Sequence, residues 1–208
     1  MGTSTCWSCG KDRALSDALC PHCGKVQPQA PGNAPDKFAI LGVPRSYAQE
    51  LAQVDEAFRA LSRKLHPDRF ARASPRERRF SLEQTTQLND AYRVVKDPVR
   101  RAEHLLELRG VKLARDDHGG VALPMEFLEQ AMEDREQLLE AKLTGGPAAV
   151  EALAAGVRGK RDEAMREIAQ LLEGAESPAA LERASGLLAR LRYYLRYLDE
   201  ALGREPEI

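Results

Sequence analysis

Four cysteines, Cys6, Cys9, Cys20 and Cys23, fall within the first 23 residues, and the chain has no others. Cys-x2-Cys-x10-Cys-x2-Cys is a pair of knuckles at the spacing that gathers four thiolates around one tetrahedral ion. Each second cysteine is followed by glycine, Gly10 and Gly24, which lets the backbone turn its amides toward sulfur. A segment this short cannot fold by burial alone, whereas a structural zinc ion supplies on the order of 10 kcal/mol of folding energy. Zinc is therefore expected first and iron second. Two disulfides suit a more oxidising compartment than the cytosol, and a redox Cys-x-x-Cys would not need two matched knuckles. His22 is expected to be a solvated neighbour, and Trp7 an exposed aromatic. Lys11, Arg13 and Lys25 are too few for phosphate binding.

The second constellation is His66-Pro67-Asp68. Proline cannot continue a helix, so His66 and Asp68 are held at an exposed corner, where Asp68 can accept a bidentate bond from a partner arginine. Arg59 and Arg63, four residues apart on the preceding helix, project together beside Lys64 and Arg69. The third is a row of carboxylates, Glu129, Glu133, Glu136 and Glu140, alongside Phe127, Leu128, Ala131, Met132, Leu138 and Leu139. From pattern alone this is either a solvated helix face or a docking surface.

Helices must position all but the first of these groups. Aromatics make up only 5% of the chain against 43% hydrophobic residues overall, which suits helices packed by Leu and Ala. Asp36 to Leu41 reads as a short helix closed by Gly42. Ser46 and Gln49 suggest a capping box for the helix bearing Leu51, Val54, Phe58, Leu61 and Leu65, which must end at His66. Ser74-Pro75-Arg76-Glu77 opens another helix, with Phe80, Gln84, Leu88, Ala91 and Val95 inward. Asp97-Pro98 opens a third, ending near Gly110. A polar loop with Asp116, Asp117, Gly119 and Gly120 follows. Further helices start at Pro124, Pro147 and Ser177-Pro178. Leu181, Ala184, Leu188, Leu191, Leu195, Leu198 and Leu202 line the last of these, as a coiled-coil seam or, more simply, within an antiparallel bundle.

Charge is uneven: the balance is +4 over residues 36–110 and −6 over residues 111–208. The acidic tail and scarce aromatics disfavour a zinc-ribbon nucleic-acid binder. An enzyme is disfavoured because His66 and Asp68 have no second base, nucleophile or phosphate loop beside them. No apolar run approaches the ~18 residues of a membrane span and no signal peptide is apparent, so a cytoplasmic protein is expected.

Phe38-Ala39-Ile40-Leu41-Gly42-Val43, a basic amphipathic helix, His-Pro-Asp-Arg-Phe and a longer helix ending Leu88-Asn89-Asp90-Ala91-Tyr92 together resemble a J domain. J domains stimulate ATP hydrolysis by DnaK-type chaperones. The resemblance implies that His66, Pro67 and Asp68 form the stimulating turn and Arg59, Arg63, Lys64 and Arg69 the docking surface. Asp97-Pro98-Val99-Arg100-Arg101-Ala102-Glu103-His104-Leu105-Leu106 and the acidic helices beyond resemble the HscB family, co-chaperones of iron–sulfur cluster assembly. Some members, notably eukaryotic ones, carry an N-terminal tetracysteine module opening Cys-Trp-x-Cys-Gly, as here. The resemblance implies a site for the cluster scaffold at Leu128, Met132, Glu133, Glu136, Glu140 and Tyr193. Glu129 departs from the family pattern, which is commonly apolar there, and Tyr193 and Tyr197 are expected to form a partly exposed aromatic edge.

The resulting expectation is an all-α protein with a small zinc-ribbon or rubredoxin-like module at residues 1–27. A Pro-rich linker at 28–35 uncouples this module from a J domain at 36–110, and an antiparallel three-helix bundle occupies 111–208. The function implied is a non-enzymatic adaptor between a DnaK/HscA-type chaperone ATPase and an iron–sulfur scaffold, with structural zinc and neither nucleic acid nor membrane as partner. A generic J protein serving another client is the alternative.

Overall fold

Local signals start and stop most of the helices. In a computed structural model, which describes residues 2–29, 35–112, 123–174 and 177–204, a two-stranded antiparallel hairpin (β1, Thr3–Thr5; β2, Asp12–Ala14) precedes seven α-helices. Helix α1 (Lys37–Leu41) begins where Asp36 accepts from the Ala39 amide at 3.0 Å, and it closes at Gly42. Helix α2 (Leu51–Leu65) is followed by a 3-10 turn, Pro67–Phe70. Helix α3 (Pro75–Lys96) carries the full capping box of Ser74 and Glu77. Its inward face is the one predicted: Phe80, Gln84, Leu88, Ala91 and Val95 are all buried.

Ser46 and Gln49 do not cap α2, contrary to the sequence expectation. The helix starts one turn later, at Leu51, without a side-chain cap. Gln49 instead donates to the Pro44 and Ser46 carbonyls at 2.8 Å each, and the Ser46 hydroxyl to the Ala48 carbonyl at 3.1 Å. These polar side chains satisfy the loop before the helix rather than the helix itself.

The chain divides into two units, Met1–Arg101 and Ala102–Ile208, the division falling inside α4 (Pro98–Leu108). Within the first, α2 and α3 run antiparallel. Phe58 stacks on Tyr92 with centroids 4.0 Å apart. The Tyr92 hydroxyl donates to Asp55 at 2.8 Å, and Lys96 bonds both. The tetracysteine segment packs on the start of α3. Trp7 is half-buried rather than exposed: its indole N–H donates to the Val26 carbonyl at 2.7 Å, and its ring lies under the Arg76 guanidinium and edge-on to Phe80. Lys25 pairs with Glu77 at 2.8 Å, Gln84 donates to the Gln27 carbonyl at 3.0 Å, and Gln29 to the Glu83 carbonyl at 2.8 Å. Residues 25–29 are thus a strap along α3, and the expected uncoupling is not found here. Residues 30–34 of the expected linker lie outside the described residues.

The second unit holds α5 (Met125–Glu140), a π-helical turn (Ala141–Gly145), α6 (Gly146–Glu173) and α7 (Pro178–Ala201). The reversal occurs at Gly146, whose φ of 74° favours glycine. Ala131, Leu138, Ala154, Val157, Tyr193, Tyr197 and Leu198 form one core cluster. Along α7, Ala184, Leu188, Leu191 and Leu198 are buried within a three-helix bundle, Leu181 and Leu195 are half-buried, and Leu202, at the end of the predicted stripe, is exposed where the helix stops. Arg192 donates to Glu103 at 2.7 Å and Arg109 to the Leu172 carbonyl at 2.7 Å, fastening the end of α4 to this unit. The loop of Asp116, Asp117, Gly119 and Gly120 lies outside the described residues. Among the described residues no helix is long and apolar enough to cross a membrane.

Hydrogen bonds from Lys25 and then Ser74 hold the Glu77 carboxyl below its ordinary value. The stability this contributes is present above the ordinary carboxylate range and is lost as pH falls through the lowered value. Trp7→Ala removes the ring against which Arg76 and Phe80 pack and should cost about 2–3 kcal/mol. Hydrogen exchange is expected to quicken at the amides of residues 78–84. Exchange there identical to the parent would show the module to be merely tethered.

Candidate docking surfaces and metal centre

The two cysteine knuckles repeat one backbone pattern. The Cys6 amide donates to the Lys11 carbonyl and the Gly10 amide to the Cys6 carbonyl, at 2.9 and 3.0 Å; Cys20, Lys25 and Gly24 repeat this at 2.9 Å each. Gly10 and Gly24 share a φ of 71°, which explains glycine after each second cysteine. The four sulfurs lie within 4.8 Å of one another, with Cys6–Cys23 and Cys9–Cys20 both at 3.7 Å. Four thiolates held at ~2.3 Å from one ion make a tetrahedron whose edge is about 3.8 Å. The donor set therefore fits a metal ion, and all four cysteines are free thiols rather than disulfides. Burial raises the Cys6 thiol, but amides of Cys9 and Ser8 and the neighbouring thiols outweigh it and lower it to about 6. At Cys23 the Lys25 amide lowers the thiol, but burial and the three neighbouring thiols outweigh it and push it up to about 11, so the thiols titrate as a group.

Sequence reasoning missed two residues behind this centre. Gln27, fully buried, donates to the Cys6 sulfur at 3.3 Å and to the Lys25 carbonyl at 2.7 Å. Arg13 is buried, donating to the Ala14 and Asp17 carbonyls, and its charge is felt at Cys6 and Cys20. A buried cation beside thiolates offsets their mutual repulsion. His22 is exposed, its ring near the Asp12 carbonyl at 3.2 Å, and it is not part of the cysteine group.

Pro67 turns the chain at the end of α2. His66 adopts φ −53° and ψ 130°, and its Nδ1 accepts from the Asp68 amide at 3.3 Å. The Asp68 side chain is 89% exposed, its carboxylate 3.5 Å from His66 Nδ1. Arg59, Arg63 and Lys64 on α2 and Arg69 in the turn that follows are all exposed. The corner is fixed from behind. The Leu65 carbonyl, directed out of the helical ladder, accepts from the Ser81 hydroxyl at 2.6 Å and the Thr85 hydroxyl at 3.1 Å. Ser81 and Thr85 stand one turn apart on the inward side of α3. That spacing was visible in the sequence, but their acceptor, sixteen residues before Ser81, was not.

On α5, Leu128, Met132, Glu133, Glu136 and Glu140 are all exposed. Tyr193 is not with them on a free surface. It is buried, its hydroxyl donates to the Ala131 carbonyl at 2.9 Å, and its ring meets Phe127 edge-on. Burial pushes its hydroxyl pKa up. Tyr197 is buried too, so the expected exposed aromatic edge is absent at both positions. The phenol has found an acceptor where α5 and α7 meet, which makes the interior acceptable to it. Both rings reach only a small cavity of about 310 Å³, lined also by Arg135, Arg196 and Glu200.

A family model described as the HSCB C-terminal oligomerisation domain matches residues 123–201, and the DnaJ domain model matches residues 36–104. The co-chaperone protein HscB homolog of Ralstonia nicotianae is 35% identical over 167 residues, covering 80% of this chain and 94% of that protein. The iron-sulfur cluster co-chaperone protein HscB of Mus musculus is 31% identical over 192 residues, covering 91% and 77%. The crystal structure of human co-chaperone protein HscB aligns with a TM-score of 0.81 at 28% identity, covering 96% of this chain and 97% of that one. Chaperone HscB from Vibrio cholerae aligns with a TM-score of 0.70 at 29% identity, covering 81% and 96%.

The tie at Leu65 gives a prediction. Ser81→Ala with Thr85→Val strands a buried carbonyl and should cost about 1–3 kcal/mol of stability, measured by urea denaturation. Stability equal to the parent's would show that the carbonyl does not depend on these hydroxyls.

Proposed function

Because the chain belongs to the HscB family of J-domain co-chaperones, we propose that it joins an iron–sulfur cluster scaffold to a DnaK/HscA-type ATPase and stimulates that ATPase. One observation carries this reading: a fully displayed carboxylate, Asp68, at a corner braced from behind and bordered by four exposed cations. Such a carboxylate is poised to form a charge-assisted, bidentate bond with an arginine of the chaperone. Because the turn is already held, less ordering entropy is lost when the bond forms. Arg59, Arg63, Lys64 and Arg69 steer an acidic face toward the turn. Hydrolysis itself belongs to the chaperone; the chain contributes a contact, not a nucleophile or base.

The scaffold is read as docking on α5 through Leu128, Met132, Glu133, Glu136 and Glu140, while Tyr193 supports that helix from within. The regions 1–27, 36–110 and 111–208 are then a metal module, a J domain and a scaffold-binding bundle. Zinc is the proposed metal, because four soft thiolates in a closed tetrahedral set suit a structural zinc ion. Cys6, Cys9, Cys20 and Cys23 would hold it, cross-linking the two knuckles.

Asp68→Asn keeps the shape of the corner but removes its charge. Stimulation of the cognate chaperone's ATPase is expected to fall to the basal rate while circular dichroism stays unchanged. Full stimulation by the folded variant would refute the J-domain reading. Elemental analysis of protein purified without chelators should find one zinc per chain, and Cys20→Ser should abolish it; metal-free parent protein would overturn the zinc assignment.

A further inference from the structure

The exposed apolar surface of α5 does not stop at Met132. Met125, Leu128, Met132, Leu139 and Leu143 are between 41% and 75% exposed. At 100° per residue the first four fall within an arc of about 60°, and Leu143 follows one turn beyond Leu139. Glu129, Glu133, Glu136 and Glu140, also exposed, occupy the adjoining arc of about 60°. The helix thus presents two parallel rows, an apolar one of about 21 Å from Met125 to Leu139 and an acidic one of about 17 Å from Glu129 to Glu140.

We propose that Leu139 and Leu143 form a second apolar anchor for the scaffold, and that the scaffold segment seated there pairs an apolar row with lysines or arginines along one flank. This rests on the reading of α5 as the scaffold-binding helix. Glu129, which departs from the family's apolar pattern, then belongs to the acidic row, and Leu139 and Leu143 provide apolar surface farther along the helix in its place. Charge decides between occupants. Arg135 and Lys142 are the cations of α5 and the following turn, and both are engaged: Arg135 with the Glu200 carboxylate at 3.0 Å, Lys142 with the Glu200 carbonyl at 2.5 Å. A second copy facing this surface would bring more carboxylates and no free cation from its own α5 to meet them. A basic segment neutralises the acidic row while burying the leucines, with the apolar anchors holding the complex and the charges selecting the partner.

The test is calorimetric titration of the full chain with the purified, cluster-free scaffold protein of the same organism. Leu139→Gln combined with Leu143→Gln keeps good helix formers at exposed positions, so the fold should persist, as circular dichroism would show. The double variant is expected to bind at least about tenfold more weakly. Parent-like binding by the double variant, with Met132→Ala weakened, overturns the second anchor and leaves the reading of α5 standing. Parent-like binding by both variants overturns that reading and the proposal with it. If sedimentation shows a parent dimer that the double variant makes monomeric, a second copy covers the leucines and the proposal fails.

Discussion

The geometry of the His66-Pro67-Asp68 turn depends on where the carbonyl of Leu65 goes. Pro67 bars the helix from continuing, so the chain must leave α2 with that carbonyl turned out of the ladder. Left buried without a donor it would cost about 1–3 kcal/mol. Ser81 and Thr85 supply two hydroxyls from one face of α3. The corner that displays Asp68 is therefore a property of two helices, and α3 is their shared support. The same helix is pinned at its start by Glu77, which closes the capping box and pairs with Lys25, and at its end by the Tyr92–Asp55–Lys96 cluster.

Legibility in the sequence follows the range of the interactions. Ser74 with Glu77, the helix stop at His66, the inward face of α3 and the cysteine spacing all depend on residues a few positions apart, and each could be read directly. Ser46 and Gln49 match the same local pattern, yet their side chains satisfy loop carbonyls, because the helix starts farther on. Trp7, Arg13 and Gln27 could not be placed, since their partners lie across the module or on α3. Tyr193 and Tyr197 stand off the leucine stripe, which suggested exposure. A third helix covers that side of α7, and periodicity within one helix carries no information about its neighbours.

The tetracysteine segment gains a clearer physical role from its surroundings. Metal binding would order the two knuckles, and ordering the second knuckle fixes the strap from Lys25 to Gln29 that runs along α3. Folding energy from the proposed zinc ion would thereby stiffen the helix that also braces the His66-Pro67-Asp68 turn. The acidic face of α5 belongs to the other unit and shares no side chain with that brace.

The central proposal is that one chain couples these two events, and single-turnover ATP hydrolysis by the cognate chaperone tests it most directly. Full-length protein would be titrated with and without saturating cluster-free scaffold. A coupled adaptor predicts that scaffold and chain together stimulate hydrolysis beyond the sum of their separate effects, and that the excess shrinks when Met132→Ala replaces the parent. Identical titration curves with and without scaffold would contradict it.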